Sequence, residues 1–418
     1  MDQLLHTPEG VRDIYGEECI RKNAIEERIH KVFKSYAFQD IETPAYEFFD
    51  IFNKERGSIA SKEMFKFFDR YNNTLVLRPD ITPQIARTAA KYFGTEQGPV
   101  KLCYQGNTYI NSSSYQARLK ETTQMGTELI GDSSIDADAE MVAMLIQSLL
   151  ACGLKEFYVE IGQVQFFNGL VEAAGLKEEI ADELRTKIQE KNYFGVEELL
   201  KSQNIDSRLS EIFLKLPQMF GSVDILYNID SLSDYPKAAN AIERLKQIYE
   251  ILKVYGCEKY VSFDLGMLSS LRYYTGIIFK AYTYGTGEFI ANGGRYDELI
   301  GQFGLNRPSI GFSITVDYLM IAMDRQKITL DNDNNSSFLV LYDSKDRVSA
   351  IRLAAHYRSR NVNVSMICKT EGHDADFYLG YAMRHGIGHI VEIKDDKVSM
   401  IHVASGNIKT EKLSDILE

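Results

Sequence analysis

Two hydrophobic periods share this chain, and their order limits what it can fold into. Strand-like runs, alternating or briefly apolar, lie at Phe38–Pro44, Leu75–Leu77, Val100–Tyr104, Thr127–Gly131 and Phe157–Ile161. They return at Tyr260–Asp264, Gly276–Tyr282 and Gly287–Ala291. Helical spacing is predicted for residues 20–36, where Ile25, Ile29, Val32, Phe33 and Tyr36 form one stripe. It is predicted again for Pro83–Phe93, Ala137–Leu154 and about Gly311–Met323. From 165 to 257 a Leu-, Lys- and Glu-rich stretch replaces the strands, which reads as a mostly helical insertion. After the polar stretch Asp331–Ser337, strands at Phe338–Tyr342, Val362–Ile367 and Ile390–Ile393 alternate with helices such as Val348–Arg358. That alternation predicts a small α/β domain over 338–418, set apart from a core over 1–330.

The 418 residues allow several domains. With 47 Lys and Arg against 59 Asp and Glu, the net charge is −12. On average such a surface repels phosphate polyanions, so a nucleic-acid grip is unfavoured unless a local basic patch outvotes the mean. The most apolar helix-like run, Met141–Leu154, is broken by Gln147 and Ser148, so no membrane span is expected. The first residues lack the basic and apolar regions of a signal peptide. Cys19, Cys103, Cys152, Cys257 and Cys368 are odd in number and form no CxxC pair, which predicts free thiols in a reducing cytoplasm. No P-loop, GxGxxG or GxSxG motif occurs, and no cofactor is expected.

Several short constellations could carry chemistry. Asp80 and Thr82 stand where a strand enters a helix, either as caps or with the carboxylate aimed at a ligand amine. Gln124 and Glu128, four apart, project from the same side of an extended strand, toward a polar pocket or toward solvent. Tyr273 and Tyr274 are expected to open a strand, either with one facing a pocket and the other packing or simply as two aromatics in a sheet. Gly293-Gly-Arg-Tyr-Asp297 reads as a tight turn between strand and helix, with Arg295 and Asp297 able to fix polar groups. His385 and His389 have no evident third ligand, so solvated histidines are expected there and no metal site.

Together these pieces resemble the histidyl-tRNA synthetase family. The resemblance runs over roughly residues 5–325, with a weaker echo in the C-terminal 80. It is carried by Thr7-Pro-Glu-Gly-Val-Arg-Asp13, Ile41-Glu-Thr-Pro44, Leu77-Arg-Pro-Asp80, Gln124-Met-Gly-Thr-Glu128, Tyr273-Tyr274 and Gly293-Gly-Arg-Tyr-Asp297, in one order along the chain. It implies an α+β, class II synthetase fold: an antiparallel sheet flanked by helices. It also implies a histidine pocket built from Asp80, Thr82, Gln124, Glu128, Tyr273 and Tyr274. The family's ATP-gripping cations are not matched. The two ATP-holding arginines are replaced by Ile110 and Tyr318, the glutamate that accompanies the first by Ser112, and a further arginine that helps activate the histidine carboxylate by Ser269. Arg272 lies an odd number of residues from Ser269 and would face the opposite side of a strand, so it is a poor substitute. Losing three charged hydrogen bonds at about 1.5–3 kcal/mol each forgoes roughly 5–9 kcal/mol, on the order of 10³–10⁶ in rate.

A pocket able to bind histidine but not to adenylate it resembles the regulatory subunits of ATP phosphoribosyltransferase. That resemblance implies a short-form catalytic subunit as partner, L-histidine as effector, a homodimer formed through the Ile41–Pro44 region, and a hetero-octamer with the partner. It implies that the subunit is no enzyme by itself, that the partner's activity requires it, and that histidine feeds back on the first step of histidine biosynthesis. An active synthetase and a tRNA-sensing module are the competing readings. The C-terminal domain is only loosely like an anticodon-binding domain.

Overall fold

The computed structural model describes residues 5–52, 59–112, 119–229, 232–268, 273–330 and 337–417. Contacts divide the chain into two compact units, Met1–Asp13 with Lys22–Thr329 and Ile14–Arg21 with Leu330–Glu418. The division at Arg21 falls inside α1 (Gly16–Ser35). Ile25, Ile29 and Phe33 of its apolar stripe are completely buried, each contributing about 1.5–3 kcal/mol.

Along the first unit follow β1 (Gln39–Asp40), β2 (Tyr46–Phe48), β3 (Lys66–Phe68), β4 (Thr74–Leu77), α2 (Thr82–Tyr92), β5 (Val100–Tyr109), β6 (Glu121–Ile130), α3 (Ile135–Ala151) and β7 (Phe157–Gln163). Then come α4 (Val164–Ala173), α5 (Glu178–Gln189), α6 (Tyr193–Ser202), α7 (Ser207–Lys215), β8 (Phe220–Gly221) and α8 (Pro236–Val254). The unit ends with β9 (Val261–Asp264), β10 (Ile277–Thr283), β11 (Ala291–Arg295), β12 (Ser309–Thr315) and α9 (Val316–Arg325). A nine-stranded sheet runs β1-β5-β6-β12-β11-β10-β7-β9-β8. From β5 to β7 every pairing is antiparallel, whereas β1 joins β5, and β9 joins β7, in parallel. β2, β4 and β3 form a separate small sheet. Helix α3 starts on a Ser134 cap, whose hydroxyl accepts from Ala137 N at 3.1 Å, and buries most of its length.

Several sequence expectations shift. The paired glycines are not a turn: Gly293 and Gly294 lie within β11, flanked by β10 and β12. A Cβ on Gly294 would lie 2.7 Å from the Ile277 carbonyl oxygen, so the missing side chains let three strands close up. The strand placed at Gly287–Ala291 accordingly begins only at Ala291. The helix placed from Gly311 begins at Val316, because Ser309–Thr315 pairs on both edges as β12. A continuous apolar run does not distinguish the two states. Tyr273 and Tyr274 precede β10 by a short turn and do not open it. The strand at Thr127–Gly131 extends back to Glu121. Of the polar stretch Asp331–Ser337, residues 331–336 lie outside the described residues.

The second unit contains β13 (Ser337–Tyr342), α10 (Arg347–Ser359), β14 (Asn363–Cys368), α11 (Ala375–Arg384), β15 (His389–Lys394), β16 (Lys397–His402), β17 (Ile408–Lys412) and α12 (Leu413–Leu417). Its sheet runs β14-β13-β15-β16-β17, the first three strands parallel and the last two added as an antiparallel meander that the sequence reading lacked. Both faces are covered: Val340 and Val391 pack with Ala350 and Leu353 of α10, and Leu339 and Leu341 with Tyr378 and Ala382 of α11. His385 is exposed and lies tilted against Tyr381, with ring centroids 4.2 Å apart. His389 is half-buried beside Phe338 and His402, so it is not the solvated residue expected. No helix of the described residues is long and apolar enough to cross a membrane.

Candidate functional site

Period-2 geometry on β6 does the first work. Gln124 and Glu128 point from the same face into a cavity of about 360 Å³, which fits a metabolite and not a macromolecule. The cavity is also lined by Asp80, Thr82, Tyr273 and Tyr274, so all six candidate residues share one wall system.

Asp80 and Thr82 are positioned by a buried cation that never touches the cavity. The Arg78 guanidinium donates to the carbonyls of Thr43 and Asn107, each at 2.7 Å, and so pins the end of β4 to the Ile41–Pro44 segment and to β5. Beyond it, Asp80 Oδ1 accepts from Ile81 N at 2.7 Å and from Thr82 N at 3.3 Å, at the start of α2. Thr82 Oγ1 then donates to Glu128 Oε1 at 2.7 Å.

Glu128 is the centre of the site. It is 1% exposed and accepts from Thr82 and from the Tyr296 hydroxyl, with no cation among its hydrogen-bond partners in the described residues. Burial raises its carboxyl to about 8; the charge of Asp80 adds to the shift, and the two hydroxyl donors oppose it. Burial likewise pushes the phenols of Tyr104, Tyr273 and Tyr296 well above their usual range. The Tyr273 ring lies 4.8 Å from that of Tyr274 and meets Tyr296 edge-on at 6.0 Å, an aromatic wall around a polar floor. Gln124 Oε1 is buried and accepts no hydrogen bond from the described residues, so it is available to a ligand donor. Backbone approach makes this floor possible, because any side chain on Gly311 would run into the Glu128 carboxylate.

Other residues lining the cavity differ in character. Ile110 and Tyr318 stand in its wall; Ser112 does not, and Ser269 and Arg272 lie outside the described residues. Lys120 and Lys280 line it as well, and the sequence reading singled out neither. Lys280 is no free cation. It sits directly opposite Glu160 on β7, with Asp264 and Glu288 adding negative potential, while burial lowers its ammonium from the ordinary lysine value. Burial raises the Glu160 and Asp264 carboxyls in turn.

Arg295 and Asp297 do not reach the cavity. Arg295, 3% exposed, pairs with the fully buried Asp138 at 2.6 Å and donates to Asp132 O at 2.9 Å; Asp138 is also held by Arg244 of α8 at 2.6 Å. Asp297 accepts from Ser309 N at 3.0 Å. Of that motif Gly293 and Tyr296 line the cavity, and the place of Tyr296 beside Arg295 in an extended segment is the available signal for its side chain.

The model of the family described as histidyl-tRNA synthetase matches residues 10–319. The chain is 39% identical over 415 residues to the ATP phosphoribosyltransferase regulatory subunit of Acetivibrio thermocellus, covering 99% of each chain. It is 41% identical over 413 residues to that of Ruminiclostridium cellulolyticum, covering 99% of this chain and 98% of the other. The chain belongs to the family of ATP phosphoribosyltransferase regulatory subunits, on the histidyl-tRNA synthetase fold. A crystal structure described as an ATP phosphoribosyltransferase regulatory subunit/histidyl-tRNA synthetase from Bacillus halodurans matches with a TM-score of 0.80 at 31% identity, over 93% of this chain and 98% of that one. Histidyl-tRNA synthetase from Nostoc sp. PCC 7120, at 19% identity, matches with a TM-score of 0.80 over 98% of both chains, which shows the shared class II fold. The nine-stranded sheet is thus the regulatory-subunit version of the synthetase sheet.

Proposed function

We propose that this chain is a non-catalytic regulatory subunit that binds L-histidine in the Glu128 cavity and passes the occupancy of that cavity to a short-form catalytic subunit of ATP phosphoribosyltransferase. The carrying observation is Glu128, a buried carboxyl group hydrogen-bonded, among the described residues, to hydroxyls alone and facing an open cavity. A buried carboxyl group is costly to ionise without a counter-charge, and an amino acid brings one. Two further features support a site without adenylation chemistry. Ile110 and Tyr318 occupy positions that the resemblance assigns to ATP-holding arginines. Lys280 is already matched by carboxylates. In this reading histidine inhibits by binding the active and inactive assemblies with different affinity.

Co-purification with the short-form partner, followed by assay of its activity with and without histidine, tests the assignment directly. Histidine-dependent ATP–pyrophosphate exchange by this chain at synthetase rates would overturn it. Calorimetry tests the pocket. Asp80→Ala and Glu128→Ala are each expected to weaken histidine binding about 10–150-fold, the value of a charged hydrogen bond. Unchanged affinity in both variants would place the ligand elsewhere.

A further inference from the structure

On the first unit, away from the cavity, three metal-binding side chains converge from three elements. His30 comes from α1, Asp40 from β1 and Cys103 from β5, and one ligand atom from each lies within 4.8 Å of the other two. The sequence gives no hint of this, since positions 30, 40 and 103 share no spacing motif. The backbone supporting them is fixed. Asp40 and Cys103 are register partners in the parallel β1–β5 pair, and Ile41 N donates to Cys103 O at 2.9 Å. Fully buried Ile29 and Phe33 hold the stretch of α1 that carries His30.

We propose that His30 Nε2, an Asp40 carboxylate oxygen and Cys103 Sγ form a three-ligand site for a divalent transition metal, zinc above all. One imidazole, one carboxylate and one thiolate leave a fourth tetrahedral position for water. Asp40 Oδ1 now stands 2.6 Å from His30 Nε2 and 3.3 Å from Cys103 Sγ, both hydrogen-bond contacts. Around zinc, with bonds of about 2.0–2.3 Å at tetrahedral angles, the His30–Asp40 separation widens to about 3.3 Å and the Asp40–Cys103 separation to about 3.5 Å. The exposed His30 and Asp40 side chains can open that far while Cys103, 1% exposed, stays still. Lys34, one turn beyond His30, holds Asp40 Oδ2 at 3.0 Å and neutralises the carboxylate without metal. Binding then displaces the Lys34 ammonium, which turns to solvent with its charge, and releases the Cys103 thiol proton as the metal–sulfur bond forms.

Cobalt(II) added to the chelator-treated full chain is the probe, since a thiolate ligand gives a near-ultraviolet charge-transfer band. One equivalent is expected to saturate the band, and zinc to abolish it by displacement. Asp40→Asn, at an exposed position that should leave folding intact, is expected to weaken cobalt binding at least tenfold, and Cys103→Ser to remove the band. Lys34→Ala is expected to tighten binding several-fold by freeing Asp40. No band, a band that survives Cys103→Ser, or indifference to Asp40→Asn would each overturn the proposal. Because Cys103→Ser alters a buried position, the Asp40 and Lys34 variants decide the matter if that variant fails to fold.

Discussion

Glu128→Gln is expected to become progressively more stable than the parent as pH rises, by roughly 4 kcal/mol between pH 5 and pH 9. In the unfolded chain this carboxyl ionises near its ordinary 4.5, whereas in the folded cavity it keeps its proton until about 8. Between those values the native state carries one proton more than the unfolded state, so the parent loses stability as pH increases. The favourable contribution is complete below 4.5 and gone above 8. Glutamine mimics the protonated acid and has no such slope. Urea unfolding of both proteins across this range measures the difference, and parallel stability profiles would show that Glu128 is ionised in the folded state. Saturating histidine should shrink the gap by supplying the counter-charge that the empty cavity lacks.

The second large effect concerns Gly311. A methyl group there would collide with the Glu128 carboxylate and lie 2.7 Å from the Thr127 carbonyl oxygen, which is backbone in a paired strand and cannot withdraw. Gly311→Ala is expected to cost more than about 3 kcal/mol, the upper end of overpacking, and to remove measurable histidine binding. Gly98→Ala provides the contrast, since nothing lies within 4 Å of its added carbon and its φ is not in the left-handed region. It is expected to be neutral or slightly stabilising, by about 0.4–1 kcal/mol, through the unfolded chain alone. Equal melting temperatures for the two variants would contradict the packing described around β12.

Some of this was legible in sequence and some was not, for identifiable reasons. The shared face of Gln124 and Glu128 follows from strand arithmetic over four residues, and the structure brings both to one cavity. Helices with a clear apolar stripe, such as α1 and α2, lie within a few residues of their expected positions. Where neither period was clear, as in Gly311–Thr315, the reading assigned helix to a strand. A Gly-Gly pair predicts a turn from sequence, although β11 uses Gly293 and Gly294 to let strands approach. The roles of Arg78 and Arg295 were invisible because their partners lie far away in sequence: Asn107 and Thr43 for one, Asp138 and Asp132 for the other. Lys280 looked like an ordinary strand lysine, and only the register opposite Glu160 reveals its charge environment.

The Arg244–Asp138–Arg295 chain has a practical consequence. It fastens α8, the last helix of the 164–254 stretch, to α3 and through it to the strand that leads into Tyr296. That stretch is therefore not a detachable module. A shortened version of the molecule, trimmed for use as an amino-acid sensor, would leave Asp138 with one of its two guanidinium partners. Such a design succeeds only by keeping α8 or by supplying a replacement cation at that point.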